Sequence, residues 1–192
     1  MNMRVETDKV WGFNFAIRNM RLSHDSVEKS DTLIDSSGVE VIGDIDLKLA
    51  RKLIKAGPSH SKFLRFIHAH HLVWAPLKWW KHFDTYKYAE KLSSSTMHTI
   101  MKSELSTADF SVNTDGRVVE IVNSLIRAGE FDKVVDTLPD GFIQLRAVDT
   151  NYACLRNIYF QRRHHKLTEW KDYCAWIETL PYAELLTLEG RE

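Results

Sequence analysis

Residues 63–83, FLRFIHAHHLVWAPLKWWKHF, change character at Pro76, and that break constrains the fold more than any other feature of the chain. Upstream, the aromatic and branched side chains of residues 63–74 predict a strand, whose pleated surface they suit. Proline has no N–H to give a ladder, yet its fixed φ suits the first turn of a helix. Ala75-Pro76 therefore seeds a helix over LKWWKHF. A strand that runs directly into a helix calls for an α/β or α+β architecture, a central sheet with packed helices.

The remaining segments agree with that architecture. Residues 10–18 place Trp11, Phe13, Phe15 and Ile17 at period two, the alternation of a half-buried strand. Residues 19–43 are rich in Ser, Asp and Asn, with Ser36-Ser37-Gly38 between two short apolar runs, and read as a long polar loop holding a small hairpin. Asp44 is placed to cap a helix whose Leu47, Ala50, Leu53 and Ile54 share one face and which Gly57-Pro58 stops. Ser93-Ser94-Ser95-Thr96 interrupts the helix begun at Pro76, and VVEIVNSLIRAG reads as a later helix ended by Gly129. FIQLRAV (142–148) follows as a strand and TNYACLRNIYFQRR as a helix, after which Thr168 caps a last helix before Pro181. With no linker or repeat in its 192 residues and 44% of them hydrophobic, the chain is expected to form a single domain over 1–192.

Charge excludes some functions. Lys plus Arg number 26 and so do Asp plus Glu, so no global basic field exists to gather nucleic acid or an acidic membrane surface. Any anion must be captured locally. No apolar run approaches the roughly 18 residues a membrane span needs. Two isolated cysteines, Cys154 and Cys174, and a start without signal character point to a reducing, cytoplasmic compartment, and both cysteines read as core packing. His68, His70 and His71 raise a zinc site, but no third ligand stands at a recognisable spacing, so no metal is expected. Trp74, Trp79 and Trp80 suit either the core or a stacked heterocycle, and the core is favoured. Arg156, Arg162, Arg163, His164, His165 and Lys166 form a basic cluster whose guanidinium forks match phosphate oxygens. Cations at a helix C-terminus are favourable in themselves, so the cluster also reads as a solvated helix end.

Several spaced residues resemble the flavin-dependent thymidylate synthases, the thymidylate synthase complementing proteins. Ala16-Ile17-Arg18-Asn19-Met20-Arg21-Leu22-Ser23 resembles their A-x-R-x-x-R-x-S segment, and LARKLIKAGPSH their helix leading to a Gly-His turn. Ala75-Pro76 stands where the family passes from strand to helix. The most specific match is C-terminal: Leu138-Pro139, Asn151, Asn157 and Arg162 reproduce L-P-x11-N-x5-N-x4-R without a gap. The family's Arg-His-Arg-x7-Ser signature is altered. Counted from Ala75-Pro76 it becomes Thr85-Tyr86-Lys87-x7-Ser95, and the phosphate-holding arginine two residues beyond the serine is Met97. A count one turn earlier would set Lys81-His82-Phe83 on the signature and lose the serine.

The resemblance implies reductive methylation of dUMP, or a related pyrimidine nucleotide, at C5. FAD would be the cofactor, with methylenetetrahydrofolate and NADPH as co-substrates. It places His60, Lys87, Asn151 and Asn157 at the flavin, Ser95, Asn157 and Arg162 at the nucleotide, and gives Arg162 the task of polarising the uracil. It further implies a homotetramer in which Ser95 and Arg162 meet across an interface. The altered signature leaves a second reading open, a relative of the fold that binds a nucleotide or serves assembly without flavin.

Overall fold

In a computed structural model, residues 3–190 are described. Strand β1 (Arg4–Trp11) passes through Gly12 into helix α1 (Phe13–Asn19). Strands β2 (Leu33–Ile34) and β3 (Glu40–Val41) make a small separate hairpin, followed by helix α2 (Asp44–Ala56). Strand β4 (His68–Pro76) runs straight into helix α3 (Leu77–Phe83), and β5 (Ala89–Ser93) comes next. Helices α4 (Thr96–Thr99), α5 (Gly116–Arg127) and α6 (Phe131–Thr137) lie between β5 and β6 (Ile143–Asn151). Strand β6 in turn runs straight into helix α7 (Tyr152–Arg162), before α8 (Thr168–Ile177) and α9 (Glu184–Thr187).

The central sheet has the order β1-β4-β6-β5, with every neighbouring pair antiparallel. The α/β (α+β) class and the central sheet with packed helices are as the sequence predicts. On β4, Ala69, His71, Val73 and Ala75 are buried while His68, His70, Leu72 and Trp74 stay half-exposed, the period-two pattern of a sheet covered more fully on one face. The core joins Ala69, Val73 and Ala75 of β4 to Trp79, Trp80 and Phe83 of α3, Leu155 and Ile158 of α7, and Trp170, Tyr173 and Ile177 of α8. Each such apolar side chain contributes roughly 1.5–3 kcal/mol by leaving water. Ile100, Val122 and Val134 form a second, smaller cluster with residues of α5 and α6.

Several boundaries differ from expectation. Residues 10–18 are not one strand, because the ladder stops at Trp11 and helix α1 begins at Phe13. Gly12 turns the chain at φ 95°, and the Glu40 carboxylate accepts from the N–H groups of Gly12, Phe13 and Asn14 at 2.8, 3.1 and 3.2 Å. Phe13, Ala16 and Ile17 are buried at helical spacing while Phe15 is 59% exposed, so the apparent period of two was a coincidence of aromatic placement. Residues 62–66 form a 3-10 turn, and the strand expected from residue 63 starts at His68. Gly43, not Asp44, precedes α2, whose N–H groups at Ile45 and Asp46 are met by Asp31 at 2.9 Å each. Thr168 is the first residue of α8 rather than its cap, and Thr150 and Asn151 belong to β6.

Candidate functional site

Helix α7 carries most of the expected residues and shows why they sit as they do. Asn151 ends β6 and caps α7, its Oδ1 accepting from the Cys154 N–H at 2.9 Å. One face of the helix, Tyr152, Leu155, Ile158 and Tyr159, is buried. The other face turns Ala153, Arg156, Asn157, Phe160 and Gln161 into a cavity of about 760 Å³. Its second wall is the end of α2 and the turn after it, with Ile54, Pro58, Ser61, Leu64 and Arg65, and its rim includes Glu189 and Gly190.

The walls are rich in donors. Three arginines, Arg65, Arg156 and Arg163, face one carboxylate, Glu189. Arg163 Nη2 pairs with Glu189 Oε1 at 3.1 Å, while its Nε is buried without a partner. Arg156 donates to the Leu186 carbonyl at 3.1 Å, and burial lowers its pKa from the usual arginine value. The guanidinium carbons of Arg156 and Arg163 lie 4.6 and 4.8 Å from the Phe160 ring centre, which holds two cations against one aromatic body. In this half-enclosed setting a phosphate or carbonyl oxygen would meet forked donors with little water to screen them.

Arg162 lies beside this cavity rather than in its lining. Its Nε donates to the Tyr86 hydroxyl at 2.8 Å, and its guanidinium carbon lies 5.0 Å from the Trp170 ring centre. No carboxylate pairs with it among the described residues. Tyr86 is buried, which raises its pKa, and the hydrogen bond and charge of Arg162 oppose that rise.

The remaining expected residues are spread out. His60 is exposed in the turn after α2, its N–H bonded to the Gly57 carbonyl at 3.0 Å, one residue from the lining Ser61. Lys87 is exposed in the turn between α3 and β5. Ser95 caps α4, its Oγ accepting from the His98 N–H at 3.3 Å. The β5–β6 register pairs Ser93 with Arg146 and Ala89 with Thr150, so Ser95 and Asn151 lie beyond opposite ends of that ladder. The five residue steps from Arg146 to Asn151 alone span about 17 Å. Within one chain, then, the fold gathers Asn157 with Arg156 and Arg163, sets His60 nearby and Arg162 behind, and leaves Ser95 apart.

Sequence reasoning missed Gln161, Arg65 and Glu189 as part of the site. Gln161 stands four residues after Asn157, on the same helical face, and that spacing was the available signal. Arg65 and Glu189 reach the cavity only through tertiary packing. The histidines of β4 divide. His68 and His70 share a face and flank Asp149 Oδ1 at 3.2 and 3.6 Å, whereas His71 is buried against Tyr173. Among the described residues no group of three or more His, Cys, Asp or Glu is placed to hold a metal ion. Trp79 and Trp80 are core residues. No helix among the described residues is long and apolar enough to cross a membrane.

Solved structures share this fold along nearly its whole length. Two structures of thymidylate synthase X (ThyX) from Helicobacter pylori with FAD and dUMP, one described as a flavin dependent thymidylate synthase, match with TM-scores of 0.79 and 0.78 at 18% sequence identity. The first match covers 97% of each chain and the second 98% of each. A UMP/dUMP methylase, PolB from Streptomyces cacaoi, bound with 5-Br dUMP, matches with a TM-score of 0.72 at 17% identity over 98% of this chain and 96% of that one. By sequence, no family profile and no curated protein matches. The fold is that of the thymidylate synthase complementing proteins, and at such identities the likeness speaks to fold alone.

Proposed function

We propose that the protein is a flavin-dependent methylase of a pyrimidine nucleotide, with dUMP as acceptor, methylenetetrahydrofolate as one-carbon donor and NADPH as reductant. The observation that carries the proposal is the donor-lined cavity, with Asn157, Arg156 and Arg163 on one helix, in a fold shared end to end with proteins crystallised with FAD and dUMP. The cavity chemistry fits such ligands. The unpartnered, buried Arg163 Nε is a donor that a ligand oxygen would satisfy, and Phe160 offers an aromatic face between two cations.

In this reading Asn151, Asn157, His60 and Lys87 hold the flavin, while Asn157, Arg162 and Ser95 hold the nucleotide. Bound FAD would supply the redox equivalents of the reductive methylation. The chain's own contribution is positioning and fixed charge: Arg162, held by Tyr86 and Trp170, polarises a uracil carbonyl without the reorganisation that free solvent would need. No cysteine nucleophile is called on. The separation of Ser95 from Asn151 is consistent with a site completed by a second copy of the chain, as a homotetramer of single-domain, cytoplasmic subunits would provide.

The test is an absorbance spectrum of the purified protein, then FAD titration with and without dUMP. Flavin bands, and tighter FAD binding with dUMP present, support the proposal. Failure to bind FAD at saturating concentration overturns it in favour of a nucleotide-binding relative without flavin, in which Thr85-Tyr86-Lys87 has replaced the flavin-binding signature.

A further inference from the structure

A chain of side-chain hydrogen bonds joins Arg162 to the cavity, and it runs in one direction. Arg162 Nε meets the Tyr86 hydroxyl at 2.8 Å, the hydroxyl meets Gln161 Oε1 at 2.9 Å, and Gln161 Nε2 meets Asn157 Oδ1 at 3.0 Å. A guanidinium has donors only, so Arg162 must donate to Tyr86. The hydroxyl proton of Tyr86 then goes to the Gln161 carbonyl oxygen, and Gln161 turns its amide nitrogen to Asn157. Asn157 accepts with its oxygen, which leaves its Nδ2, a donor, for whatever fills the cavity it lines.

We infer that Tyr86 and Gln161 are positioning residues that fix Arg162 and orient the Asn157 amide, so that the site accepts a base carbonyl at Asn157 and rejects a base amino group. Tyr86 stands in the altered signature, so this role belongs to the present sequence and rests on the nucleotide-binding reading above. Specificity of this kind follows from hydrogen-bond polarity: a uracil oxygen pairs with the Asn157 Nδ2, whereas the cytosine amino group would meet donor against donor. Such a mismatch at one bond covered by the ligand costs about tenfold or more in affinity.

The consequence for substitution is specific. In Gln161→Glu the new carboxylate still accepts from Tyr86, but it offers no donor to Asn157. The Asn157 amide then turns over to donate to that carboxylate, and in the variant its oxygen faces the cavity. In Tyr86→Phe the relay is cut and Gln161 rotates freely.

The experiment is calorimetric titration of dUMP and dCMP into the full chain with FAD present, for the wild type and both variants. The ratio of the two dissociation constants is the readout, because both nucleotides carry the same phosphate and any general loss of anion affinity cancels. The wild type is expected to favour dUMP about tenfold or more, Tyr86→Phe to lose most of that preference, and Gln161→Glu to abolish or reverse it. An unchanged ratio in both variants overturns the inference while leaving the proposed function standing. Wild-type protein that binds neither nucleotide overturns the function and the specificity together. The relay itself is read separately without ligand. Its Arg162 Nε–H proton is expected to exchange slowly by NMR in the wild type and rapidly in Tyr86→Phe, and rapid exchange in both removes the positioning role.

Discussion

Replacing Asp46 by alanine should unfold much of what holds the cavity's second wall. Asp46 is fully buried at the start of α2 and accepts four hydrogen bonds: from Arg21 Nε at 2.6 Å, Ser30 Oγ at 2.5 Å, Thr32 N at 3.1 Å and Thr32 Oγ1 at 2.7 Å. Arg21, the second arginine of the segment that resembles A-x-R-x-x-R-x-S, is 6% exposed, and its Nη2 already lacks a partner. Without the carboxylate its charge is left buried and uncompensated, which costs about 3–5 kcal/mol. That is a large share of the roughly 5–15 kcal/mol that holds a domain folded. Urea unfolding followed by the fluorescence of the six tryptophans measures the loss. Arg21→Met with Asp46→Leu, which removes both charges, should recover most of it. A loss under about 1 kcal/mol for Asp46→Ala, or a double variant no better than the single one, would refute the reasoning. The pH dependence has a definite sign. Burial raises the Asp46 pKa, but the bonds from Ser30, Thr32 and Arg21 and the Arg21 charge outweigh it and hold the carboxyl below its usual 3.8. The stabilisation is therefore complete above that value and is lost as pH falls beneath it.

Three further outcomes are expected. His71, buried with its Nε2 2.9 Å from the Tyr173 hydroxyl, has its pKa pushed down by burial to about 3 from 6.5, so stability should fall as pH drops from 6.5 toward 3. Melting temperatures of the wild type and His71→Gln over that range check this, and parallel curves would count against it. Gly12→Ala should destabilise by more than the roughly 1–2 kcal/mol of a left-handed backbone, because at φ 95° an added Cβ would lie 2.2 Å from the Phe66 carbonyl oxygen. An unchanged melting temperature would show that the turn relaxes. Cys154 and Cys174 are buried, and burial raises both thiol pKa values, that of Cys174 to about 11. Native protein should react slowly with a disulfide reagent at pH 8 and release two thiols only on unfolding, whereas fast native labelling would contradict this burial.

The fold was legible where local chemistry decided the outcome and obscure where a distant residue did. Pro76 marked the strand-to-helix passage because its missing N–H and fixed φ act on its own segment. Helix α1 was hidden because its start is capped by Glu40 from the β3 strand, a partner no pattern in residues 10–18 announces. The short strand β5 follows the same logic: its AEKLS sequence pairs with β6 on one side only, and Leu92 is 80% exposed. Asn151, Asn157 and Arg162 were picked out by their resemblance to a family motif, and Asn157 and Arg162 do stand on one helix. Their division of labour was not visible. Five residues along α7 rotate Arg162 away from the cavity Asn157 lines, and Tyr86, 76 positions upstream of Arg162, is what joins them again.

The neutral net charge of the chain and its donor-rich cavity are two sides of one arrangement. With 26 basic and 26 acidic residues there is no long-range field to draw in an anion, so recognition has to come from geometry at contact. Arg156 and Arg163 supply it by lying against Phe160, where the aromatic ring and the helix hold both guanidinium groups in place. Glu189 pairs with one of them at the rim, and since its side chain is 77% exposed, the pair is worth little in stability and is readily exchanged for another anion. Placement then does what net charge does not: a ligand oxygen entering between Arg156, Arg163 and Asn157 meets donors that Phe160 and Gln161 already hold in position. A site built this way selects its ligand by where acceptors fall along α7 rather than by how much charge the ligand carries, and for that reason the direction of the Asn157 amide matters as much as the arginines around it.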